Sequence, residues 1–202
     1  MLLPKELIEY LSRQLIKRIN PMYVEVGDPT KGSVEISELI VTELSTEDRL
    51  NDEVRDILEQ YANYMRENQI GYSDMFRKIK NQLIAERKVI RASGRDTGDA
   101  MKLSRDKITD ISHKLIAVFR KSREFRLKKP ENDIRLEIVK GFMELLLAED
   151  KVDKAARDKV RKQKREILEG SEEFELLQRR YYAEEMKKIG VDLSRPSIKR
   201  AR

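Results

Sequence analysis

Apolar residues recur along this chain at helical spacing, and they do so twice. Ile8, Leu11, Leu15 and Ile19 fall three or four residues apart, and so do Ile108, Ile111, Leu115 and Phe119. Leu50, Val54, Leu58, Tyr61 and Met65 keep the same rhythm, as do Val152, Ala156, Val160, Gln163 and Ile167, with one polar exception. Spacing of this kind puts one apolar stripe on an α-helix. A last set, Tyr72, Phe76, Ile79 and Leu83, has its counterpart in Phe174, Leu177, Tyr181 and Ile189. The pattern predicts about four helices in each half of the chain. The first spans about 4–19, with Pro4 and Ser104 as start signals for it and its partner. The second spans about 34–45, matched by 132–148. A third begins near Glu47 and Glu149, and Gly71 and Gly170 precede the fourth pair, where the chain must reverse. Residues 22–26 alternate only weakly and predict a short extended piece or a loop.

The two sets belong to one repeated unit. Met1, Leu3, Ile8, Ser12, Leu15 and Ile16 match Met101, Leu103, Ile108, Ser112, Leu115 and Ile116. Two extra residues in the second copy then shift the register. From Val34, set against Leu136, identities resume, among them Glu35 with Glu137, Leu44 with Leu146, Arg55 with Arg157 and Glu67 with Glu169. The expected fold is all-α, two tandem related helical bundles. Residues 1–90 form the first repeat and 101–191 the second. Residues 91–100, with two glycines and small polar side chains, read as a linker. Residues 192–202 read as a basic, disordered tail.

Both copies open on M-x-L-x-(K/R)-(E/D)-x-I, at Met1–Ile8 and Met101–Ile108. An acidic pair, Glu47-Asp48 and Glu149-Asp150, opens a long charged third helix in each. In these features the chain resembles the bacterial "domain of unknown function 507" family, present as two units. The resemblance implies a small helical fold. It implies no activity and carries no site residues with it.

Composition narrows the chemistry. Charged residues make up 40% of the chain against 39% hydrophobic, which suits narrow helices with wide solvated faces and also a heat-adapted protein. Cysteine is absent, so disulfides, thiolate catalysis and Cys-ligated zinc or iron–sulfur sites are excluded. The single histidine, His113, sits off the Ile108–Ile111–Leu115 stripe with Asp110 as its acidic neighbour, and reads as solvated. No run of about twenty apolar residues exists to span a bilayer, and the start of the chain lacks the pattern of a secretion signal. The expectation is a cytoplasmic protein without cofactor, metal site or catalytic residues.

Two features invite a sharper reading. Gly27-Asp28-Pro29-Thr30-Lys31-Gly32-Ser33 has a superficial likeness to a phosphate loop, but Lys precedes the second Gly and no buried strand precedes the first. It reads instead as a turn leading to Ser33 as a helix cap. The second feature is charge. Residues 1–100 carry 15 Lys and Arg against 18 Asp and Glu, net −3, and residues 101–202 carry 28 against 19, net +9. On a helix, Arg157, Arg161 and Arg165 fall within about 60° of Lys154, with Lys151 and Lys164 flanking them and the apolar stripe opposite.

Three explanations of that basic stripe compete. It is a solvated face, or a footprint for nucleic-acid phosphates, or a docking surface that meets the acidic half within or between chains. No aromatic side chains interleave with it, so nucleic-acid binding there would be nonspecific. The sequence therefore points to a non-catalytic binding protein that assembles through complementary acidic and basic faces. Nonspecific nucleic-acid binding is the alternative. Lys151, Lys154, Arg157, Arg161, Lys164 and Arg165 are the candidate contacts, and the partner is a protein, a second copy or a nucleic acid.

Overall fold

The computed structural model describes residues 3–92, 102–163, 165 and 167–193. The linker beyond Ala92 and the tail beyond Leu193 lie outside the described residues. The elements run α1 (Lys5–Ile19), β1 (Val24–Val26), α2 (Pro29–Leu44), α3 (Thr46–Gln60), α4 (Ala62–Glu67), α5 (Tyr72–Glu86), α6 (Arg105–Lys121), β2 (Phe125–Leu127), α7 (Glu131–Arg161) and α8 (Glu172–Lys188). The chain is all-α apart from one two-stranded ribbon. Among the described residues no helix is long and apolar enough to cross a membrane.

Local chemistry sets most boundaries. Ser104 accepts a hydrogen bond from the Lys107 amide and caps α6, while Pro4 opens α1 without a side-chain cap. Helix α2 starts five residues earlier than the apolar pattern implied. Asp28 is its cap, with Oδ1 accepting from the amides of Thr30 at 2.8 Å and Lys31 at 3.2 Å, and Pro29 follows at the first helical position. Ser33, the expected cap, lies inside the helix and donates to the Thr30 carbonyl at 2.8 Å. An Asp-Pro pair is the stronger start, because it combines an amide acceptor with a φ already helical.

The second and third helices of the two halves are built differently. In the first half, α2 breaks at Ser45. The Ser45 hydroxyl donates to the Val41 carbonyl at 2.6 Å and Thr46 donates to Thr42 at 3.1 Å. Hydroxyls that bond back one turn compete with the helical ladder and bend it. The matching residues of the second half are Leu147 and Ala148, good helix formers, and α7 runs through as one helix of 31 residues. The two helices expected at 132–148 and beyond 149 are therefore one. In the first half α3 in turn stops at Tyr61, which is exposed, before the short α4 restores Met65 to the interior.

The apolar residues do not form one core per half. A single cluster takes Leu7, Leu11, Leu15, Ile36 and Ile40 from the first half together with Ile108, Leu115, Phe119, Ile138 and Phe142 from the second. A smaller cluster of Leu50, Val54, Leu58 and Met65 lies under α5 alone. Tandem bundles with separate interiors are thus replaced by a shared centre with two helical arms, α3–α5 and the C-terminal part of α7 with α8. Each half exposes its first two helices over a wide apolar face, and the other half covers it.

The weakly alternating segment is the strand β1. It pairs antiparallel with β2, setting Val24 against Leu127, Glu25 against Arg126 and Val26 against Phe125. The ribbon extends by one bond at each end, from the Gly27 amide to the Glu124 carbonyl and from the Lys128 amide to the Tyr23 carbonyl, both 2.9 Å. Phe125 stacks against Phe119 with centroids 4.3 Å apart. Gly32 sits beneath the ribbon, where a Cβ would meet Val26 Cγ1 at 2.9 Å and Phe125 Cζ at 3.1 Å. Its lack of a side chain lets α2 pass this close.

Ionic contacts follow the same seam. Arg18 on α1 bonds Glu137 and Glu144 on α7. Lys107 on α6 is only 2% exposed, and its ammonium lies 2.9 Å from Glu43 on α2 and 3.4 Å from Asp110. Lys114 reaches the same two carboxylates at 2.5 and 2.9 Å. Burial is the largest single influence on Glu43 and pushes its carboxyl up. The hydrogen bonds and charges of Lys107 and Lys114 outweigh it and hold the group below its ordinary value of 4.5.

Two expectations follow. Residues 1–92 and 102–193, expressed separately, should each lack a cooperative thermal transition and regain one when mixed in equal amounts. Two halves that each melt cooperatively alone and do not associate would refute the shared interior. Glu43→Gln should lower unfolding free energy at neutral pH by about 3 kcal/mol, since Lys107 is left buried with a weaker partner. A carboxyl depressed on folding contributes stability above its unfolded value and loses it as pH falls through the folded one. The gap between variant and wild type in urea unfolding should therefore shrink below pH 4.5; a gap of constant size would remove Glu43 from the account.

Candidate binding surfaces

The basic stripe lies on the C-terminal part of α7, as its spacing required. Lys151 and Lys154 are exposed, Arg157 is half-buried, and Arg161 is the last residue of the helix. Arg165 falls beyond the helix end and does not continue the stripe. The chain leaves the helix after Arg161, and the Gln163 side chain turns to donate to Tyr181 on α8 at 2.6 Å. The placement of Lys164 lies outside the described residues.

Most of these cations already have an acidic neighbour. Lys154 lies 2.7 Å from Asp150, Arg157 2.9 Å from Asp153, and Arg161 3.2 Å from Asp158 and 2.9 Å from Glu169. Arg165 stands 3.5 Å from Glu173. The Glu169 carboxylate holds the Arg161 guanidinium above its ordinary value. Exposed pairs of this kind add little stability. They do matter for recognition, because a phosphate would have to displace a carboxylate from each arginine while the neighbouring acids repel it. The sequence showed the cations as a stripe; it did not show that acids one turn away point at them.

The arm behind the stripe is closed by polar contacts. Asp153 accepts from Arg157 on its own helix and from Gln178 on α8, both at 2.9 Å. Lys159 pairs with Glu185 at 2.5 Å, and Lys159 and then Lys188 hold that carboxyl below its ordinary value. Deeper, Glu149 is 1% exposed. Its Oε1 accepts from Lys102 and from the Tyr182 hydroxyl, both at 2.5 Å, while Oε2 is buried without a hydrogen-bond partner. Burial, together with the Glu149 carboxylate, pushes the Tyr182 phenol up. The Lys102 ammonium also lies 5.1 Å from the centre of the Tyr182 ring.

The arm of the first half differs at the matching positions. In the register that sets Val34 against Leu136, Asp153 corresponds to Asn51, Gln178 to Phe76 and Tyr182 to Lys80. Asn51 leaves its Oδ1 buried and without a hydrogen-bond partner, and Arg55 turns to Asp52 at 2.6 Å. A cleft of about 470 Å³ opens between α3 and α5, lined by Arg55, Tyr72, Ser73, Phe76, Arg77 and Lys80. Tyr72 and Phe76 stack with ring centroids 6.2 Å apart and 28° between planes. No aromatic side chain accompanies the basic stripe of α7 in the sequence. The signal was on α5, where Tyr72, Phe76, Arg77 and Lys80 share neighbouring turns of one helix.

His113 is exposed on α6, and the α2 N-terminus is filled by its own Asp28. Among the described residues no group of three or more His, Cys, Asp or Glu stands placed to hold a metal ion. Removing the Tyr182 hydroxyl should loosen the α7–α8 arm. Tyr182→Phe is expected to lower unfolding free energy by on the order of 1 kcal/mol, because Glu149 loses one of two donors in a buried site. Urea denaturation reads this, and an unchanged midpoint would assign the hydroxyl no part in stability.

No curated protein matches the chain. A family model described as "Protein of unknown function (DUF507)" matches residues 1–191, in which lie both strands, all the helices and both arms. The chain therefore belongs to the DUF507 family.

Proposed function

We propose that this is a non-catalytic, cytoplasmic binding protein that works by assembly, its frame made of two copies of one helical unit joined in a single chain. The observation that carries the reading is that ion pairs of both senses join the two halves along one seam. Arg18 with Glu137 and Glu144, Lys107 with Glu43, and Lys128 with Glu25 all cross it. Support for two copies comes from the order of elements, helix then strand then helix, in both halves. It comes also from the ribbon, in which the strand of each half pairs antiparallel with that of the other and Glu25 opposes Arg126 at its middle. A two-fold dimer pairs its matching strands in this way about its axis.

The arms are then the parts left to meet partners. Leu168, in the turn between α7 and α8, and Leu176, on α8, are 80% and 69% exposed. Around them stand Arg165 and Arg179 on one side of the charge balance and Glu172, Glu173 and Glu175 on the other. An apolar centre with a rim of both signs is self-complementary, and a second copy is the partner it fits. Nucleic-acid binding by the α7 stripe is the weaker reading, because its arginines are already paired.

Light scattering of the intact chain across concentration and salt tests this. The expected result is a molar mass that rises with concentration and falls back in Leu168→Asp/Leu176→Asp. A strict monomer under every condition would end the assembly reading.

A further inference from the structure

We propose that the cleft between α3 and α5 is a binding site for single-stranded nucleic acid, with a base stacked on Tyr72 and the adjoining phosphates held by Arg77, Lys80 and Arg55. The site lies on a different arm from the assembly surface and does not rest on that reading.

The lining is the first argument. Three of its six side chains are cationic, two are aromatic, one is a hydroxyl, and none is a carboxylate. An aromatic face takes a base of any kind, and cations beside it take the phosphodiester that follows. Tyr72 is 54% exposed, so its outer face is free, while Phe76 behind it is packed against the small cluster of the arm and fixes the ring pair.

The second argument is the state of the cations. Arg77 and Lys80 make no ion pair among the described residues, unlike Lys154, Arg157, Arg161 and Arg165 on α7. Only Arg55 shares its charge, with Asp52. A phosphate reaching Arg77 or Lys80 displaces water and a counterion rather than a carboxylate, which is the favourable case. The arginines of the α7 stripe are therefore the less available cations.

Comparison of the arms supplies the third. Where the second arm closes on the bonds of Asp153 to Arg157 and Gln178, the first has Asn51, with an unpartnered buried oxygen, and Phe76. Arg87 at the end of α5 bonds Glu53 on α3, but the cleft itself is lined by rings and by two cations that make no ion pair among the described residues. The cleft opens to solvent along α5, which suits a strand passing over it better than an enclosed free nucleotide.

The test is fluorescence anisotropy of the full chain with a labelled poly-dT strand of about 15 nucleotides. A duplex of equal length, AMP as competitor, and vesicles of phosphatidylglycerol run beside it. The single strand should bind most tightly, with a log–log salt slope near −2 for two to three phosphates. Arg77→Glu/Lys80→Glu should weaken binding more than about tenfold. Tyr72→Ala should weaken it about tenfold and Tyr72→Phe should not, because the phenylalanine keeps the stacking face. Tyr72 and Arg77 are exposed and Lys80 is half-buried, and circular dichroism confirms that each variant is folded. Undiminished binding by either loss variant would overturn the proposal, as would duplex or vesicles binding as tightly as the strand. AMP competing as well as the strand would make the site one for free nucleotides and overturn it too. Loss in Lys151→Glu/Lys154→Glu alone would move the contact to α7. Association measured by light scattering is read separately, so either proposal can fail without the other.

Discussion

Everything in this protein rests on one requirement: each half presents more apolar surface than it can cover by itself. The stripes of α1 and α2 pack together, yet Leu7, Leu15 and Ile36 remain members of a cluster that also needs Ile108, Phe119 and Phe142. Burial of this kind contributes about 25 cal/mol per Å² of apolar surface, and loss of it from a unit of about 100 residues leaves little margin. The chain meets the requirement by folding its halves against each other. The short ribbon, the glycine beneath it and the buried Lys107 with Glu43 all sit at this contact. None of them has a reason to exist within one half alone.

That arrangement divides the molecule into parts with different duties. At the centre the polar groups are matched across the seam: Ser122 donates to Glu35 at 3.0 Å, and the Asp28 amide donates to Glu124 at 3.1 Å. A charge as buried as Lys107 is tolerated only because carboxylates surround it. Away from the centre the arms are held by fewer apolar contacts, and there the two halves diverge. The straight α7 carries its arm as a continuation of the central helix. In the first half the chain is instead divided into α2, α3 and α4, with breaks at Ser45 and Tyr61.

The divergence of the arms is where binding properties arise. The second arm is closed by Asp153 and Gln178, whereas the first holds Asn51 and Phe76 on its two helices. Its α5 carries the exposed ring of Tyr72 over the packed ring of Phe76, with Arg77 and Lys80 making no ion pair among the described residues. Net charge is a poor guide to such a surface. The second half holds the excess of Lys and Arg, but carboxylates pair with the arginines of its α7 stripe, while in the net acidic first half Arg77 and Lys80 make no ion pair among the described residues. What a partner meets is the local field, set over a few ångströms by which side chains are paired.

Periodicity by itself determined that the chain is helical and which residues of α1, α3 and α6 are buried, Ile8, Leu11, Leu15, Leu50, Val54, Leu58, Ile108, Ile111 and Leu115 among them; Tyr61, Tyr72 and Ile189, set on the same stripes, are exposed. Those properties depend on neighbours three and four positions away, which a linear pattern records. Ser104 as a cap and the weakly alternating residues 22–26 were legible for the same reason, since both are local. Asp28 as the start of α2 was also written in the Asp-Pro pair, but the apolar pattern drew attention past it. Only the tertiary structure decided that the halves have one interior, that residues 132–161 form a single helix, and that Lys154, Arg157 and Arg161 are paired while Arg77 and Lys80, among the described residues, are not. These depend on contacts between residues far apart in the chain, or on the rotamers of long charged side chains. Helical spacing says which face a side chain occupies; it does not say which neighbour that side chain will touch.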